Sequence, residues 1–377
     1  MAPAFRADHV GSLLRPPELL AARQDFAEQR IGAERLREIE DASVLKALDL
    51  QREAGIDVFT EGEYRRAAWS SAFRESVEGL APDPDPPIRR LLGAWQGPHS
   101  DVANATVAAM PSLVASGKLR QVRRLAGAEA AFLKQHAPGP WKITTAGPLS
   151  VSGALYKSGV TDKAYATRAE FDNEVIGILR GELQTLIADG ASYLQLDSLH
   201  YVERVADKTI RARMIAEGED PDAYLETLIA ADNAVLEGLR REGLTVGMHM
   251  CRGNNRSAWH AEGSYDAIAE QAFPRLNVDR FLLEYDTDRA GSFAPLRFVP
   301  RDRMVVLGLI SSKEPALESI DDLRRRIDEA ATYVPIERLA ISPQCGFAST
   351  AAGNLLTWDE MRRKLELVAK TARAVWG

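Results

Sequence analysis

The sequence predicts an α/β fold, a single (β/α)8 TIM barrel that forms one domain over residues 1–377. Short apolar runs rich in β-branched residues alternate with longer helical patterns along almost the whole chain, which is typical of parallel strands joined by crossover helices. Eight such runs can be counted, the number that a barrel needs. Polar residues follow the ends of these runs, where the chemistry of such barrels is found.

The predicted strands are residues 5–12, 58–61, 143–146, 193–197, 245–250, 281–284, 304–310 and 339–342. The clearest helical patterns are residues 33–54, 167–188, 221–242, 320–333 and 358–375. Residues 81–140 do not fit the alternation, because they open with A-P-D-P-D-P-P and close with A-P-G-P. Such proline clusters punctuate a chain. We therefore predict an insertion after the second strand that covers one end of the barrel.

Composition and charge exclude several classes of protein. The formal net charge is -7 and no basic stripe is present, which argues against a nucleic-acid partner. No apolar run is long enough to span a membrane, and residues 1–10 lack the apolar core of a secretory signal. The two cysteines cannot form a disulfide framework, so reduced thiols are expected. We predict a cytoplasmic homo-oligomer.

Both cysteines stand where a predicted strand ends. His249 and Cys251 are two residues apart, which places both side chains on the same face of a strand, and Cys345 follows the last strand. Glu284 ends another apolar run, although a carboxylate at such a place often only caps a helix or pairs with a cation. Nitrogen, sulfur and oxygen ligands in this combination suit Zn²⁺. The sequence therefore predicts a zinc site that could bind a substrate thiol as its thiolate.

Several segments resemble those of a known enzyme family. H-M-C-R-G-N, F-L-L-E-Y and S-P-Q-C-G-F are similar to the zinc-binding segments in the C-terminal barrel of cobalamin-independent methionine synthases. F-R-A-D-H-V-G-S-L-L-R-P, T-E-G-E-Y-R-R and Y-L-Q-L-D resemble the segments of that barrel that bind the thiol substrate. The resemblance covers nearly the whole chain in order. It implies a (β/α)8 barrel with one zinc ion per chain, held by His249, Cys251, Glu284 and Cys345.

The same resemblance implies residues that bind the substrate. It implies a contact at Ser12, and in the methyltransferases the carboxylates that match Glu63 and Asp197 hold the amino group of homocysteine. We add His9, from the same opening segment as Ser12, to the substrate-binding candidates. The predicted partners are a small thiol and a small electrophile.

The sequence also departs from the methionine synthases. Ser198 and Leu199 follow Asp197 where the family has a carboxylate and a proline, and Ser311 stands where a histidine delivers a proton. The tryptophan that stacks on folate has no clear counterpart, and we expect no N-terminal barrel of the kind that helps to hold folate. Together these differences disfavour folate as the donor.

A second group with the same zinc core comprises the epoxyalkane:coenzyme M transferases, of the 2-hydroxypropyl-coenzyme M lyase type. By this resemblance, the zinc-bound thiolate of coenzyme M opens a short epoxide to give a 2-hydroxyalkyl thioether. The sulfonate would need cationic or backbone donors, and the alkoxide would need an acid. His200 and Tyr201 are the candidate catalytic acids. The candidate cations at strand ends are Arg6, Arg65, Arg66, Arg256, Arg297 and Lys313.

Coenzyme M with an epoxide is our first functional hypothesis, and methyl transfer to homocysteine is the alternative. Two further hypotheses come from other classes. A decarboxylase of the uroporphyrinogen type would have the same fold without a metal. A zinc-stabilised scaffold without activity would have a closed metal site with no exchangeable ligand.

Overall fold

The computed structural model describes residues 5–83, 94–109 and 112–377. Its strands are β1 (Val77–Pro82), β2 (Leu113–Gln121), β3 (Ile143–Ala146), β4 (Tyr193–Ser198), β5 (Thr245–Met250), β6 (Arg280–Glu284), β7 (Met304–Ile310) and β8 (Leu339–Pro343). Its helices are α1 (Pro17–Ala27), α2 (Ala33–Ala54), α3 (Ser71–Arg74), α4 (Ser100–Ala109), α5 (Gly127–His136), α6 (Pro148–Leu155), α7 (Arg168–Asp189), α8 (Lys208–Ala216), α9 (Pro221–Leu236), α10 (Ala269–Arg275), α11 (Ile320–Ala331) and α12 (Trp358–Trp376).

Strands β3 to β8 form a six-stranded parallel sheet in which each strand pairs with the next one along the chain. The register sets Asp197 of β4 beside His249 of β5. Every residue of β4, β5 and β6 is buried. Parallel strands covered on both faces are expected to be apolar throughout, so the polar side chains at their carboxyl ends stand out.

Two extended segments lie between β8 and β3. Ala7 pairs in parallel with Ile341 of β8, and Phe59 pairs in parallel with Trp141, just before β3. The backbone N–H of Asp57 donates to the carbonyl oxygen of Ala7 at 3.0 Å, which links the two segments. The parallel strands are therefore arranged as in a (β/α)8 barrel, the fold class that the sequence predicts.

The first two predicted strands, residues 5–12 and 58–61, were wrong in extent. In each segment only one residue pairs with a neighbouring strand. Side chains, and not backbone groups of a neighbouring strand, take up other backbone hydrogen bonds of these segments. The carboxylate of Asp57 accepts from the N–H of Ala7 at 2.9 Å, and the hydroxyl of Thr60 donates to the carbonyl of Gly11 at 2.7 Å. The other six predicted strands agree with β3–β8 to within one residue at each end.

The predicted helices are also close to the observed ones. Helix α2 begins and ends where it was predicted, at Ala33 and Ala54, and Gly55 terminates it with a left-handed φ of 83°. Helix α9 ends at Leu236, earlier than predicted, because Glu237 is extended and Gly238 has a φ of 74°. None of the helices in the described ranges combines the length and the apolar character that a membrane span needs.

Strand β1, which begins just before the predicted insertion, and β2, which lies within it, form an antiparallel pair that the sequence did not predict. Residues 84–93 and 110–111, with most of the opening proline cluster, lie outside the described residues. Gln96 pairs with Trp259, in the loop that follows β5. This contact attaches part of the insertion to the carboxyl ends of the barrel strands.

Candidate active site

Four side chains that could hold a metal ion converge at the carboxyl ends of the parallel strands. They are His249 in β5, Cys251 just after it, Glu284 at the end of β6 and Cys345 just after β8. One ligand atom from each lies within 4.8 Å of the others. Because these residues come from three strands, the fold itself brings them together.

The local contacts leave the ligand atoms available. His249 Nδ1 lies 3.1 Å from the carbonyl oxygen of Leu282, a hydrogen bond that leaves Nε2 for the cluster. The sulfurs of Cys251 and Cys345 are 3.4 Å apart. Glu284 Oε1 is buried and has no hydrogen-bond partner among the described residues. A buried carboxylate oxygen without a partner is costly, and a metal ion would remove that cost.

The charges in the cluster also fit a cation that binds thiolates. Hydrogen bonds from Cys251 and His249 lower the pKa of Cys345 well below its usual value, while the same contact raises the pKa of Cys251. Burial acts to lower the pKa of His249, but the neighbouring Cys345 raises it to about 9. In the metal-free protein a proton is therefore held where a metal ion would bind. The donor set and its protons together fit Zn²⁺.

Lys313 lies in the loop after β7 and adds a buried positive charge. Its side chain is almost fully buried, and its Nζ has no hydrogen-bond partner within the described ranges. Its charge acts to lower the pKa of Glu284, Cys251 and Cys345. Lys313 therefore offsets the negative charge of the ligand set.

A cavity of about 260 Å³ opens beside this cluster. His249, Cys251 and Cys345 line it, so the ligand set can be reached from the cavity. Trp69 and Trp95 lie in its wall, and Trp95 belongs to the predicted insertion. A cavity that is largely enclosed by aromatic and apolar groups, with a few polar groups, is typical of a small-molecule site.

Glu63 and Asp197 also line the cavity. Glu63 has a left-handed φ of 60°, which costs a residue other than glycine about 1 kcal/mol. Its Oε1 accepts from the hydroxyl of Thr144 at 2.7 Å, and its buried Oε2 has no partner in the part of the chain that is described. Asp197 Oδ1 accepts from the amide of Gln195 at 2.7 Å. Burial raises the pKa of Glu63 and raises that of Asp197 to about 7.

The other residues predicted from the sequence divide into two groups. Ser12 and His200 line the cavity, and Gly346 makes room for Ser12, since a Cβ there would lie 2.0 Å from its hydroxyl oxygen. His9 and Tyr201 are not among the residues that line it. His9 Nε2 bonds to the carbonyl of Val58 at 3.0 Å, and the Tyr201 hydroxyl donates to Asp232 at 2.7 Å.

The surroundings of His200 disfavour its protonated form. Burial lowers its pKa well below the usual value, and its Nδ1 lies 2.7 Å from the hydroxyl of Tyr224. The catalytic roles of His200 and Tyr201 as acids stay predictions: His200 lines the cavity, whereas the Tyr201 hydroxyl donates to Asp232 and does not line it.

Sequence reasoning missed Glu203 and the two tryptophans. Glu203 lines the cavity on the π-helical segment Tyr201–Ala206, and it is almost fully buried near His200 and His260. It follows Asp197 by six residues, and a carboxylate so soon after a strand end was a signal that could have been used. Trp69 and Trp95 carry no ligand or titratable group, so no comparable chemical signal marks them.

The cations proposed to bind a sulfonate lie elsewhere. Among the described residues that line the cavity, none is an arginine or a lysine. Arg65 pairs with Glu40 and Asp41, and Arg66 pairs with Glu129. Arg6, Arg256 and Arg297 donate to backbone carbonyls.

Comparisons with known proteins identify the family that this chain is similar to. The family described as the cobalamin-independent synthase catalytic domain matches residues 5–374. The Bacillus subtilis protein YxjH is 39% identical over 99% of this chain and 95% of its own length. A methionine synthase of Pyrococcus furiosus is 23% identical over 91% of this chain and 86% of its own. The crystal structure of a putative vitamin-B12 independent methionine synthase from Listeria monocytogenes has a TM-score of 0.74 at 28% identity, covering 100% of this chain and 99% of that one.

The fold and the site thus define an enzyme of the methionine synthase-like methyltransferase class, which transfers an alkyl or methyl group to a thiol. The chain belongs to the cobalamin-independent synthase catalytic domain family. This membership favours thiol alkylation over the decarboxylase alternative. The access from the cavity to three of the four candidate ligands argues against a closed structural site.

The histidine gives a direct test of the ligand set. We expect His249→Ala to weaken zinc binding by more than about 100-fold, since residues that merely support a ligand already change metal affinity by about 10–100-fold. The melting temperature of the metal-free protein should change by less than about 4 °C, because one side chain at a strand end adds little to a core of this size. Competition with a chelator and thermal unfolding measure the two effects. A variant with unchanged zinc affinity would remove His249 from the ligand set.

Proposed function

We propose that this protein transfers an alkyl group to the sulfur of an amino-acid thiol, homocysteine, at one zinc ion per chain. The observation that carries the proposal is the pair of carboxylates, Glu63 and Asp197, in a cavity whose described lining holds no arginine or lysine. Such a cavity complements the ammonium group of an amino acid. It lies beside the thiol-binding ligand set, so one small molecule can reach both.

Different residues bind the metal and the substrate. His249, Cys251, Glu284 and Cys345 would hold the zinc, which when bound supplies a Lewis acid that keeps a thiol deprotonated near neutral pH. Glu63 and Asp197 receive the ammonium group and so fix the direction of the side chain that carries the sulfur. Trp69 and Trp95 reduce the access of water to the reacting atoms. The sulfur attacks the alkyl carbon, and the leaving group departs with the bonding electron pair.

Coenzyme M with an epoxide, our first hypothesis from the sequence, stays a prediction that these observations disfavour. A sulfonate needs positive or hydrogen-bond donating partners. The described lining presents the carboxylates of Glu63, Asp197 and Glu203 instead. Among the candidate cations, Lys313 acts electrostatically on the ligand set. It does not line the cavity.

A calorimetric titration of the zinc-loaded enzyme tests the acceptor. We expect homocysteine to bind with the release of about one proton, because a thiol that binds zinc must give up its proton. We expect 2-mercaptoethanesulfonate to bind at least about tenfold more weakly, since its anionic group meets carboxylates. The metal-free enzyme is the control for proton release. Tighter binding of 2-mercaptoethanesulfonate would overturn the proposal and restore the coenzyme M hypothesis.

A further inference from the structure

Glu63 and Asp197 are both held by side chains that are themselves held by a buried cation. Thr144 of β3 donates to Glu63, and Gln195 of β4 donates to Asp197. Thr144 and Gln195 are direct partners in the register of the two strands. The two carboxylates are therefore supported from adjacent positions of one parallel pair.

The first contact chain begins at Lys142, which is fully buried. Its Nζ donates to Asp8 Oδ1 at 2.8 Å, to Gln195 Oε1 at 2.7 Å and to the carbonyl oxygen of His9. Three acceptors require three hydrogens, so the side chain is an ammonium group. Burial acts to lower the pKa of Lys142, and the carboxylate of Asp8 opposes this.

Lys142 determines how the amide of Gln195 is oriented. Because an ammonium group can only donate, Gln195 must present Oε1 to Lys142 and its Nε2 to the opposite side. Nε2 then donates its two hydrogens, one to the carbonyl of Val10 and one to Asp197 Oδ1, each at 2.7 Å. The amide has no hydrogen left over, and Asp197 Oδ1 is required to accept.

In the second contact chain, too, a buried cation orients a neutral side chain that donates to a carboxylate. Arg66 binds Glu129 through two hydrogen bonds of 2.8 and 2.6 Å, and its Nη1 donates to the hydroxyl oxygen of Thr144 at 3.2 Å. A guanidinium group can only donate, so the single hydroxyl hydrogen of Thr144 is directed to Glu63 Oε1. Glu63 Oε2 is left without a partner among the described residues.

We propose that Lys142–Gln195 and Arg66–Thr144 are two hydrogen-bond relays that position Asp197 and Glu63 as acceptors for the ammonium group of the substrate. The inference rests on the proposed function. A cation in direct contact would orient each carboxylate but would also cancel its charge. With Gln195 and Thr144 interposed, one oxygen of each carboxylate is fixed by a neutral donor, and the negative charge stays available to the ligand. These four are positioning residues, since they act through Asp197 and Glu63.

The test compares two thiols on two variants. Thr144→Val keeps the shape of the side chain and removes the hydroxyl, and Gln195→Met removes the amide at similar length. The ligands are homocysteine and 4-mercaptobutanoic acid, which is the same molecule without its amino group. In each variant we expect calorimetry to show affinity for homocysteine reduced by about tenfold, as for the loss of a hydrogen bond to a charged group. Affinity for 4-mercaptobutanoic acid should change by less than about twofold.

Tyr193→Phe is the matched control. The Tyr193 hydroxyl bonds to Asp8 at 3.1 Å, so the change disturbs the buried network on the far side of Lys142 and leaves Gln195 in place. It should preserve the preference for homocysteine. Zinc content and melting temperature are measured for all variants. Gln195→Ala, which removes the amide and leaves room for a water molecule beside Lys142, replaces Gln195→Met if that variant does not fold.

The outcomes separate the relays from the proposed function. A loss that is equal for both thiols, or no loss in either relay variant, overturns the relays while the preference of the wild-type enzyme for homocysteine stands. If the wild-type enzyme binds both thiols equally, Glu63 and Asp197 do not bind an ammonium group. The proposed function and the role of the relays are then both overturned.

Discussion

Cys345→Ala is expected to lose most of its bound zinc and nearly all of its activity. Cys345 would supply a charged sulfur ligand from just after β8, 94 residues beyond Cys251 in the chain. Its loss would leave only the three candidate ligands from β5 and β6 to hold the zinc ion. We expect turnover to fall by more than about 10³-fold, because a metal Lewis acid supplies several kcal/mol of transition-state stabilisation. Elemental analysis of the purified variant and an assay of thioether formation measure the two effects.

Met250→Leu is the matched control for this variant. Met250 lies between His249 and Cys251 on β5, and strand alternation points its side chain to the opposite face. A volume-conserving change in the core costs less than about 1.5 kcal/mol, so zinc content and turnover should be close to those of the wild-type enzyme. Full zinc content in Cys345→Ala would show that the sulfur is not a ligand.

Asp197→Asn and Glu63→Gln are expected to weaken homocysteine binding by about 100-fold each, since each removes one partner of a buried charge pair. Both changes keep the size of the side chain. Neither residue belongs to the candidate metal ligands, so zinc content should not change. Calorimetric titration with homocysteine and with 4-mercaptobutanoic acid shows whether the loss depends on the amino group.

Asp232→Asn tests whether the effect belongs to the cavity. Asp232 is also buried, and burial raises its pKa to about 7, as it does for Asp197. It accepts from the hydroxyl of Tyr201 and is not among the residues that line the cavity. We expect its substitution to affect stability and to leave homocysteine affinity within about twofold of the wild-type value. If Asp232→Asn and Asp197→Asn reduced homocysteine affinity equally, both losses would be effects on the fold and not on the cavity.

The sequence was sufficient for the parallel strands and for the residues that end them. A strand that is buried on both faces can be recognised in the sequence as a run of apolar residues. A polar residue at the end of such a run, such as His249 or Glu284, then indicates a site. Strands that take their hydrogen bonds from side chains have no such signature. For that reason residues 5–12 and 58–61 were predicted too long.

The supporting residues of the site could not be predicted in the same way. Lys142 and Thr144 differ from surface residues of the same type only in their partners, and those partners, such as Asp8 and Glu63, are distant in sequence. His9 and Tyr201 show the converse. Both stand next to residues of the site, but the backbone turns their side chains toward Val58 and Asp232. Proximity in sequence does not determine the direction of a side chain beyond a strand end.

X-ray absorption at the zinc edge tests most directly the claim that this site holds zinc and accepts a thiol. In the resting enzyme the spectrum should show two sulfur neighbours, Cys251 and Cys345, and two lighter ligands from His249 and Glu284. With saturating homocysteine we expect three sulfur neighbours, because the thiol of the substrate joins the two cysteines. A sulfur count that stays at two while calorimetry shows homocysteine bound would contradict it.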